Sequence, residues 1–241
     1  MKLDLLELIE WFKANKLSLN LSKTNYVIFH RNNNIDHDGD DPSLSLQFGD
    51  DTVVRAPSVK FLGLQIDENL CWKSHYKNIL SKLSKSAYIL NSVKNVLPVH
   101  CMKTLYYSFV HSHLSYGINV WGPGLNKGNL NGLFKSQKHL IRIVKNASYN
   151  AHTNDIFKEL GILKLQDMID VELNKLMYLA TKLKLPKPLN SIVTLNSDVH
   201  QYKTRNRNDP RSFSHKSAVF NNSFLAKGPS LWAELPYDIN N

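Results

Sequence analysis

Two Gly-Asp-Asp triplets are the first feature of this sequence that could support chemistry. Gly39-Asp40-Asp41 lies in a polar segment, and Gly49-Asp50-Asp51 lies between two short apolar runs. Adjacent aspartates in a hairpin turn can hold two metal ions that stabilise the attacking and leaving oxygens of a displacement. Such a centre needs a further carboxylate from an earlier strand, and nothing before Asp36 supplies one on a predicted strand. Because Gly-Asp is also a frequent hairpin turn, the sequence favours a structural turn at both places.

Other metal-binding patterns in the sequence are incomplete. The segment DHDGDD begins like a calcium loop at Asp36, but Asp41 stands where that loop needs glycine and Gln47 where it needs glutamate. Cys71 and His75 have a spacing that zinc ligands on a helix can have, but no second pair repeats at zinc-finger spacing. The remaining candidate ligands are His100, Cys101, His111 and His113. We therefore predict no metal site and no cofactor for this chain.

Composition and charge favour an anionic partner. The chain has 241 residues, of which 42% are hydrophobic, so it can bury the core of one large domain or two small ones. Its formal net charge is +10, which favours a nucleic acid or an acidic membrane surface as partner. Two cysteines favour a reducing, intracellular compartment. No apolar run is long enough for a membrane span, and acidic residues near the start argue against a secretory signal.

The first 72 residues combine helical and strand patterns. A helix is predicted over residues 2–16, followed by a half-buried strand at TNYVIFH. The runs LSLQF and TVVR predict a hairpin around Gly49 and Asp50. Residues 59–67 predict a third strand, in which Gly63 marks a bulge or a close backbone approach. The helical face carries Leu5, Leu8, Ile9 and Phe12.

From Trp72 onwards the apolar residues recur with helical spacing. A long helix is predicted to continue to Val93 or Val96, and a second to have Pro98 at its first position. Three more are predicted over about 130–144, from 153 or 154 to Gly161, and over about 166–184. The second helix carries Met102, Leu105, Tyr106 and Phe109 and is broken by YGINVWGPG.

The last part of the chain is basic and only weakly periodic, which predicts a flexible or extended arm whose Trp232 could dock on the body. The predicted fold class is α+β. It comprises a short antiparallel sheet with β-hairpins over residues 1–72, a mainly helical bundle over 73–186, and an irregular basic tail over 187–241.

Several segments, in this order and spacing, resemble the C-terminal part of reverse transcriptases from non-LTR (LINE-type, jockey-like) retrotransposons. They are WFKANKLSLNLSKTNYVIFH, VKFLGLQIDENLCWKSHYKNILSKLSK, YYSFVHSHLSYGINVWG, QKHLIRIVKN, FKELGILKL and NNSFLAKGPSLWAELP. The resemblance implies the end of a palm, a thumb and the region that follows it. It also implies an RNA template and a DNA primer as partners, and Mg²⁺ as the cofactor of the complete enzyme.

The resemblance gives roles to particular residues. Lys23 matches a palm lysine that lies beside the phosphates of the incoming nucleotide. Phe61, Leu62 and Gly63 match the primer-grip hairpin, where glycine allows close approach to the primer end. The helix from Trp72 matches a thumb that holds the duplex by its backbone. The expected phosphate contacts are Lys73, Lys77, Lys82, Lys85 and Lys94 on this helix, and Lys203, Arg205, Arg207 and Arg211 in the tail.

The catalytic aspartate pair of this family is expected just upstream of residue 1, and neither Gly-Asp-Asp triplet can replace it because both follow the lysine motif. We therefore expect a fragment of an RNA-directed DNA polymerase that is inactive alone. Two alternatives stay open: a basic nucleic-acid-binding domain without chemistry, and a decayed transposon remnant without function.

Overall fold

The computed structural model describes residues 2–18, 20, 23–29, 46–48, 51–190, 192–202, 204–205, 207–213 and 215–235. The chain forms two compact units, which comprise residues 1–75 and 76–241. The described part is α+β, as predicted, with two small sheets in the first unit and helices through the second.

The first unit begins with helix α1 (Lys2–Ala14) and a sheet of three short strands in the order β1-β3-β2. Strand β2 (Leu46–Phe48) pairs antiparallel with β3 (Asp51–Arg55), which confirms the predicted hairpin. Strand β1 (Asn25–Tyr26) is shorter than predicted and runs parallel to β3. The sheet is therefore mixed and not purely antiparallel. Of the predicted apolar face of α1, Leu8 is exposed.

Residues 58–67 form a hairpin, as the resemblance implies, and not the one continuous strand that periodicity predicts. Strand β4 (Ser58–Phe61) pairs antiparallel with β5 (Leu64–Asp67), with Phe61 opposite Leu64. The chain reverses at Leu62 and Gly63, whose φ angles are 46° and 85°. Two successive positive φ angles are characteristic of a type I′ turn, whose twist matches the twist of paired strands. Gly63 is thus a turn residue and not a bulge inside a strand.

Helix α2 (Lys73–Val93) follows the hairpin, and the boundary between the two units falls in its first turn. Its predicted apolar stripe is confirmed, because Ile79, Leu83 and Leu90 are buried. The helix ends at Val93, and Val96 is 80% exposed. Helix α3 (Val99–Tyr106) then begins with Pro98 as its N-cap, one position before the predicted place.

A π-helical segment (Tyr107–His111) joins α3 to the short helix α4 (Ser112–Ser115). The wider π turn shifts the helical phase by adding a residue to the turn. As a result Val110 and Leu114 are buried, whereas Phe109, predicted on the buried stripe, is 39% exposed. The Phe109 carbonyl accepts a hydrogen bond from the Ser86 hydroxyl of α2 at 2.8 Å.

Four further helices complete the core of the second unit: α5 (Ile118–Trp121), α6 (Lys127–Lys145), α7 (Thr153–Leu160) and α8 (Leu165–Thr181). The predicted stop at Gly161 is confirmed, since it caps α7 with a φ of 60° that disfavours side chains. The largest fully buried side chains include Trp121, Tyr106, Leu133, Leu140, Leu165 and Leu173.

The C-terminal region is folded where the structure describes it, in contrast to the predicted arm. Short helices α9 (Lys187–Asn190), α10 (Asn196–Val199) and α11 (Ala218–Asn221) precede α12 (Phe224–Ala233). Helix α12 packs on α8, with Gly228 so close to Met177 that an added Cβ would lie 2.7 Å from its sulfur. Trp232 is buried, which confirms its predicted docking. None of the helices in the described ranges is long and apolar enough to cross a bilayer.

Candidate nucleic-acid interface

The tip of the β4–β5 hairpin presents two apolar side chains to solvent. Phe61 is 60% exposed and Leu62 is 74% exposed. The tip of the hairpin is therefore open to solvent. Gly63 is required by the backbone conformation of the turn, because a residue with a side chain is strained at φ 85°. The arrangement can hold a small apolar surface against a flat partner without any further folding.

Asp67, at the end of β5, fixes the start of α2. Its buried carboxylate accepts hydrogen bonds from the backbone N–H groups of Cys71 at 2.7 Å, Trp72 at 3.3 Å and Lys73 at 3.0 Å. An acidic residue at this place caps the helix and complements the positive end of its dipole. Asp67 thus joins the hairpin to the first turn of α2, which carries Lys73.

Cys71 and His75, the strongest zinc candidates of the sequence, lie at the same junction between β5 and α2. Burial and the neighbouring Asp67 carboxylate raise the pKa of the Cys71 thiol, which disfavours the thiolate that a metal needs. The buried His75 accepts a hydrogen bond through Nδ1 from the backbone N–H of Gln65 at 3.3 Å. In the described ranges no three His, Cys, Asp or Glu side chains group as metal ligands. Gly39, Asp40, Asp41, Gly49 and Asp50 lie outside those ranges.

A long acid-free stretch is the charge feature that motif analysis missed. Between Glu68 and Asp155 the sequence contains eleven lysines and arginines and no aspartate or glutamate. This stretch carries a formal charge of +11, while the rest of the chain sums to −1, so it accounts for the whole excess. Glu68 itself lies 3.2 Å from the Arg55 guanidinium. Counting acids by segment would have found the stretch from sequence.

Helix α2 is the first acid-free helix, and its lysines lie opposite the buried stripe. Lys73, Lys77, Lys82 and Lys85 are all exposed. At about 3.6 residues per turn they spread over about half of the helix circumference and do not form a single row. Lys94, just beyond the helix, is half-buried. Lysines spread around the helix in this way suit a curved anionic surface, which can contact several turns of α2.

Helix α6 is the other long helix of the acid-free stretch and lies beside α2 in the same direction. Near their starts, a Cβ added to Gly132 would lie 2.4 Å from the Tyr76 hydroxyl. Near their ends, Asn146 donates a hydrogen bond to the side chain of Asn95 at 3.2 Å. The close approach at Gly132 explains why a glycine is placed inside α6, where it otherwise weakens a helix.

The cations of α6 divide into engaged and exposed groups. Arg142 donates through Nε to the Ala151 carbonyl at 3.0 Å, and Lys145 pairs with Glu159. Lys138 lies 4.3 Å from the centroid of the Phe134 ring. Lys127 and Lys135 are exposed. Those two remain open to an anionic partner.

The histidines near α2 add little positive charge at neutral pH. Burial lowers the pKa of His113, and the neighbouring Lys82 lowers it further. Burial also lowers the pKa of His111, which the nearby Glu172 only partly opposes. Both side chains are therefore mainly neutral at pH 7, and the lysines carry the charge of this region.

The tail arginines are held in a folded loop. Residues 194–211 close on themselves through the Leu195–Pro210 bridge and the hydrogen bond from the Arg211 N–H to the Thr194 carbonyl at 2.8 Å. Arg205 and Arg207 are exposed, whereas Arg211 is half-buried, with its guanidinium 3.4 Å from His200 and 5.8 Å from the centroid of the Phe213 ring. Lys203 lies outside the described residues.

Lys23 lies in a turn between α1 and β1. Its backbone N–H donates to the Asn20 carbonyl at 3.1 Å, and its side chain is exposed. The site residues predicted from sequence thus lie at four places: this turn, the hairpin tip, α2 and the C-terminal loop. Within the described residues, direct contacts connect α2 with α6 but do not connect its lysines with the tail arginines.

Comparisons with known proteins give one match. The chain is 28% identical over 114 residues to the RNA-directed DNA polymerase from mobile element jockey of Drosophila melanogaster. The aligned segment covers 46% of this chain and 12% of that polymerase. No protein-family model matches the chain. No solved structure matches it. The similarity to the jockey enzyme supports a distant relationship to that polymerase.

Proposed function

We propose that this chain is the part of a non-LTR retrotransposon reverse transcriptase that grips the duplex of RNA template and DNA primer. The similarity to the jockey RNA-directed DNA polymerase supports the polymerase context. In this proposal the first unit contributes the end of the palm and the primer grip. The helical unit contributes the thumb, and the complete enzyme uses Mg²⁺ for nucleotide transfer.

The acid-free stretch from residue 69 to residue 154 is the observation that carries the proposal. The stretch carries a charge of +11 and contains no carboxylate, and within the described residues only its Lys145 pairs with an acid from outside it, Glu159. Such an excess of positive charge favours an anionic partner that neutralises it. A nucleic-acid backbone is such a partner, because each neutralised phosphate releases a condensed counterion. The two helices α2 and α6, which carry most of these cations, lie side by side and can contact one duplex together.

The chemistry of these cations favours phosphate contact over base recognition. Ten of the eleven are lysines, which act as flexible point charges. The one arginine, Arg142, is half-buried and its Nε donates to the Ala151 carbonyl, so its guanidinium is held against the protein rather than extended into solvent. The grip therefore holds nucleic acids of different sequence with similar affinity, as a polymerase that moves along its template requires.

The hairpin tip and Lys23 have roles in the same proposal. Phe61 and Leu62 rest against the sugar and base of the primer end, where an exposed apolar tip on a rigid turn fixes position. Lys23 lies beside the phosphates of the incoming nucleotide. The exposed tail residues Arg205 and Arg207 add further phosphate contacts.

The test is a salt titration of fluorescence anisotropy on an RNA–DNA hybrid. If about four to six cations neutralise phosphates, log affinity falls against log salt with a slope of about −3.5 to −5.5. The variant Lys77→Gln/Lys82→Gln/Lys85→Gln should make the slope shallower by about three units. The matched control Lys158→Gln/Lys187→Gln/Lys216→Gln removes three exposed lysines outside the stretch and should change it little.

Three outcomes would contradict the proposal. A wild-type slope near zero would mean that the charge does not contact phosphates. Equal effects of the two triple variants would mean that the acid-free helices have no special part in binding. A strong preference between two unrelated hybrid sequences would contradict the phosphate-only grip.

A further inference from the structure

A cavity of about 350 Å³ in the helical unit lies outside the proposed primer grip and outside the lysines of α2. It opens between the start of α6, the start of α7 and the residues just before α8. Its volume is within the range of about 300–1,000 Å³ that is common for small-ligand sites. The proposed grip of the duplex gives this cavity no role.

The cavity lining combines cations, amides and apolar atoms without any acid. The exposed amides of Asn131, Asn154 and Gln166 offer hydrogen-bond donors and acceptors at its mouth. Lys127 and Lys164 supply positive charge from two different elements. This is the set of groups that a ligand with one anionic end and one hydrogen-bonding edge requires.

The floor of the cavity is apolar and held in place. Leu130 and Phe134 form it. The Phe134 ring stacks on Phe157 with centroids 6.2 Å apart, and the ammonium of Lys138 lies over the same ring. The floor can therefore accept the face or edge of a flat ring without rearrangement of the core.

The neighbouring cavity, of about 360 Å³, indicates which way round a ligand binds. It shares the lining residues Lys127, Leu130 and Gln166 with the first cavity, so the two cavities are adjacent, and together they are called the groove. It also contains Asp170, whose pKa is raised by burial and which accepts a hydrogen bond from Gln166 at 2.9 Å. Lys227 lies in the same cavity and offsets the charge of Asp170, whereas the first cavity has two cations and no acid. The first cavity is therefore the more positive of the two, and the anionic end of a ligand belongs at its Lys127 and Lys164.

We propose that this groove binds an unpaired nucleotide of a single-stranded nucleic acid, an inference that rests on the proposed nucleic-acid function. The phosphate lies at Lys127 and Lys164, and the base edge meets the amides of Asn131 and Asn154 above the apolar floor. A duplex cannot enter in this way, because its base edges are paired and its bases stacked. The groove thus distinguishes unpaired template from the duplex held by α2 and α6.

The experiment compares two probes on the intact chain by fluorescence anisotropy. One is a labelled RNA strand of about 12 nucleotides without self-complementarity, and the other is an RNA–DNA hybrid of the same length. The variant Asn131→Ala/Asn154→Ala changes no charge and should weaken binding of the single strand about tenfold. Its binding of the hybrid should stay unchanged. The control Asn15→Ala/Asn150→Ala removes two exposed amides elsewhere and should affect neither probe.

A second pair of variants tests the phosphate end. Lys127→Ala/Lys164→Ala should weaken binding of the single strand more than binding of the hybrid. Lys82→Ala/Lys85→Ala should weaken binding of the hybrid at least as much as binding of the single strand. Equal losses on both probes for the groove variants, with unchanged melting curves, would overturn the inference and leave the duplex grip intact. Displacement of the labelled strand by an equal concentration of a free nucleoside monophosphate would overturn the assignment to a strand. Failure of the wild-type chain to bind either probe would overturn the proposed function as well.

Discussion

Gln137 is a fully buried polar residue whose removal should destabilise the helical unit strongly. Its Nε2 donates to the Tyr106 hydroxyl at 3.0 Å and to the Leu163 carbonyl at 2.9 Å. Its Oε1 accepts from the Leu165 N–H at 2.9 Å. One side chain thus joins α6 to α3 and to the start of α8. Burial raises the pKa of Tyr106, so its hydroxyl stays protonated and needs a partner over the whole working range of pH.

The substitution Gln137→Leu keeps the approximate size of the side chain but leaves two fully buried groups without this partner, the Tyr106 hydroxyl and the Leu165 N–H. Each buried unsatisfied group costs about 1–3 kcal/mol. The apolar side chain regains about 1–2 kcal/mol by its burial. The free energy of unfolding should therefore fall by about 1–4 kcal/mol.

The measurement is urea denaturation followed by circular dichroism, with the m-value checked for constancy. Gln166→Leu is the matched control, because Gln166 is exposed and its side chain bonds only to Asp170 four residues away. The loss of this hydrogen bond should lower the free energy of unfolding by less than about 0.5 kcal/mol. If Gln137→Leu is as stable as Gln166→Leu, or more stable than wild type, the three hydrogen bonds do not hold these helices together as described.

Three further predictions concern the first unit and catalysis. Gly63→Val should destabilise by about 1–3 kcal/mol, because a β-branched residue is strained at a φ of 85°, and an unchanged melting curve would contradict this. Cys71 should react with iodoacetamide at pH 7.5 more slowly than a free cysteine, because burial and Asp67 raise its pKa and reduce its thiolate fraction. The variant Asp67→Asn should speed the reaction. An unchanged rate would refute the role of the carboxylate. Primer extension on an RNA template with Mg²⁺ or Mn²⁺ should give no incorporation by this chain alone. Activity that disappears in Asp50→Asn/Asp51→Asn would contradict that expectation.

Apolar periodicity was sufficient to predict most of the helices. The stripe of Ile79, Leu83 and Leu90 and the glycine stop at Gly161 follow from local rules that tertiary contacts do not override here. Periodicity alone did not show the turn at Leu62 and Gly63, because leucine is a rare first residue of a type I′ turn and the apolar alternation continues through it. The hairpin was predicted only by the resemblance to the primer grip. The exposed Phe109 was mispredicted because a π turn changes the helical phase without a sequence signal.

The candidate site could be predicted in part. Lysine and arginine positions are visible in the sequence, and counting acids would have located the stretch between Glu68 and Asp155. The sequence could not show that α2 and α6 lie side by side, because that depends on distant contacts such as Tyr76 with Gly132. The folded C-terminal loop was also missed, since backbone hydrogen bonds such as that from Arg211 to Thr194 hold it and leave no side-chain pattern.

Lysine footprinting is the direct test of whether α2 and α6 form the nucleic-acid interface. The chain is acetylated briefly with and without a saturating RNA–DNA hybrid, and the modification of each lysine is read by mass spectrometry. If α2 and α6 hold the duplex, the hybrid protects four lysines of the acid-free stretch from acetylation, because phosphates cover their ammonium groups. These are Lys77, Lys82, Lys85 and Lys135. Exposed lysines elsewhere, such as Lys13, Lys16, Lys158 and Lys187, should be modified equally in both samples. Protection of this second group without protection of the first would contradict the claim that α2 and α6 form the nucleic-acid interface.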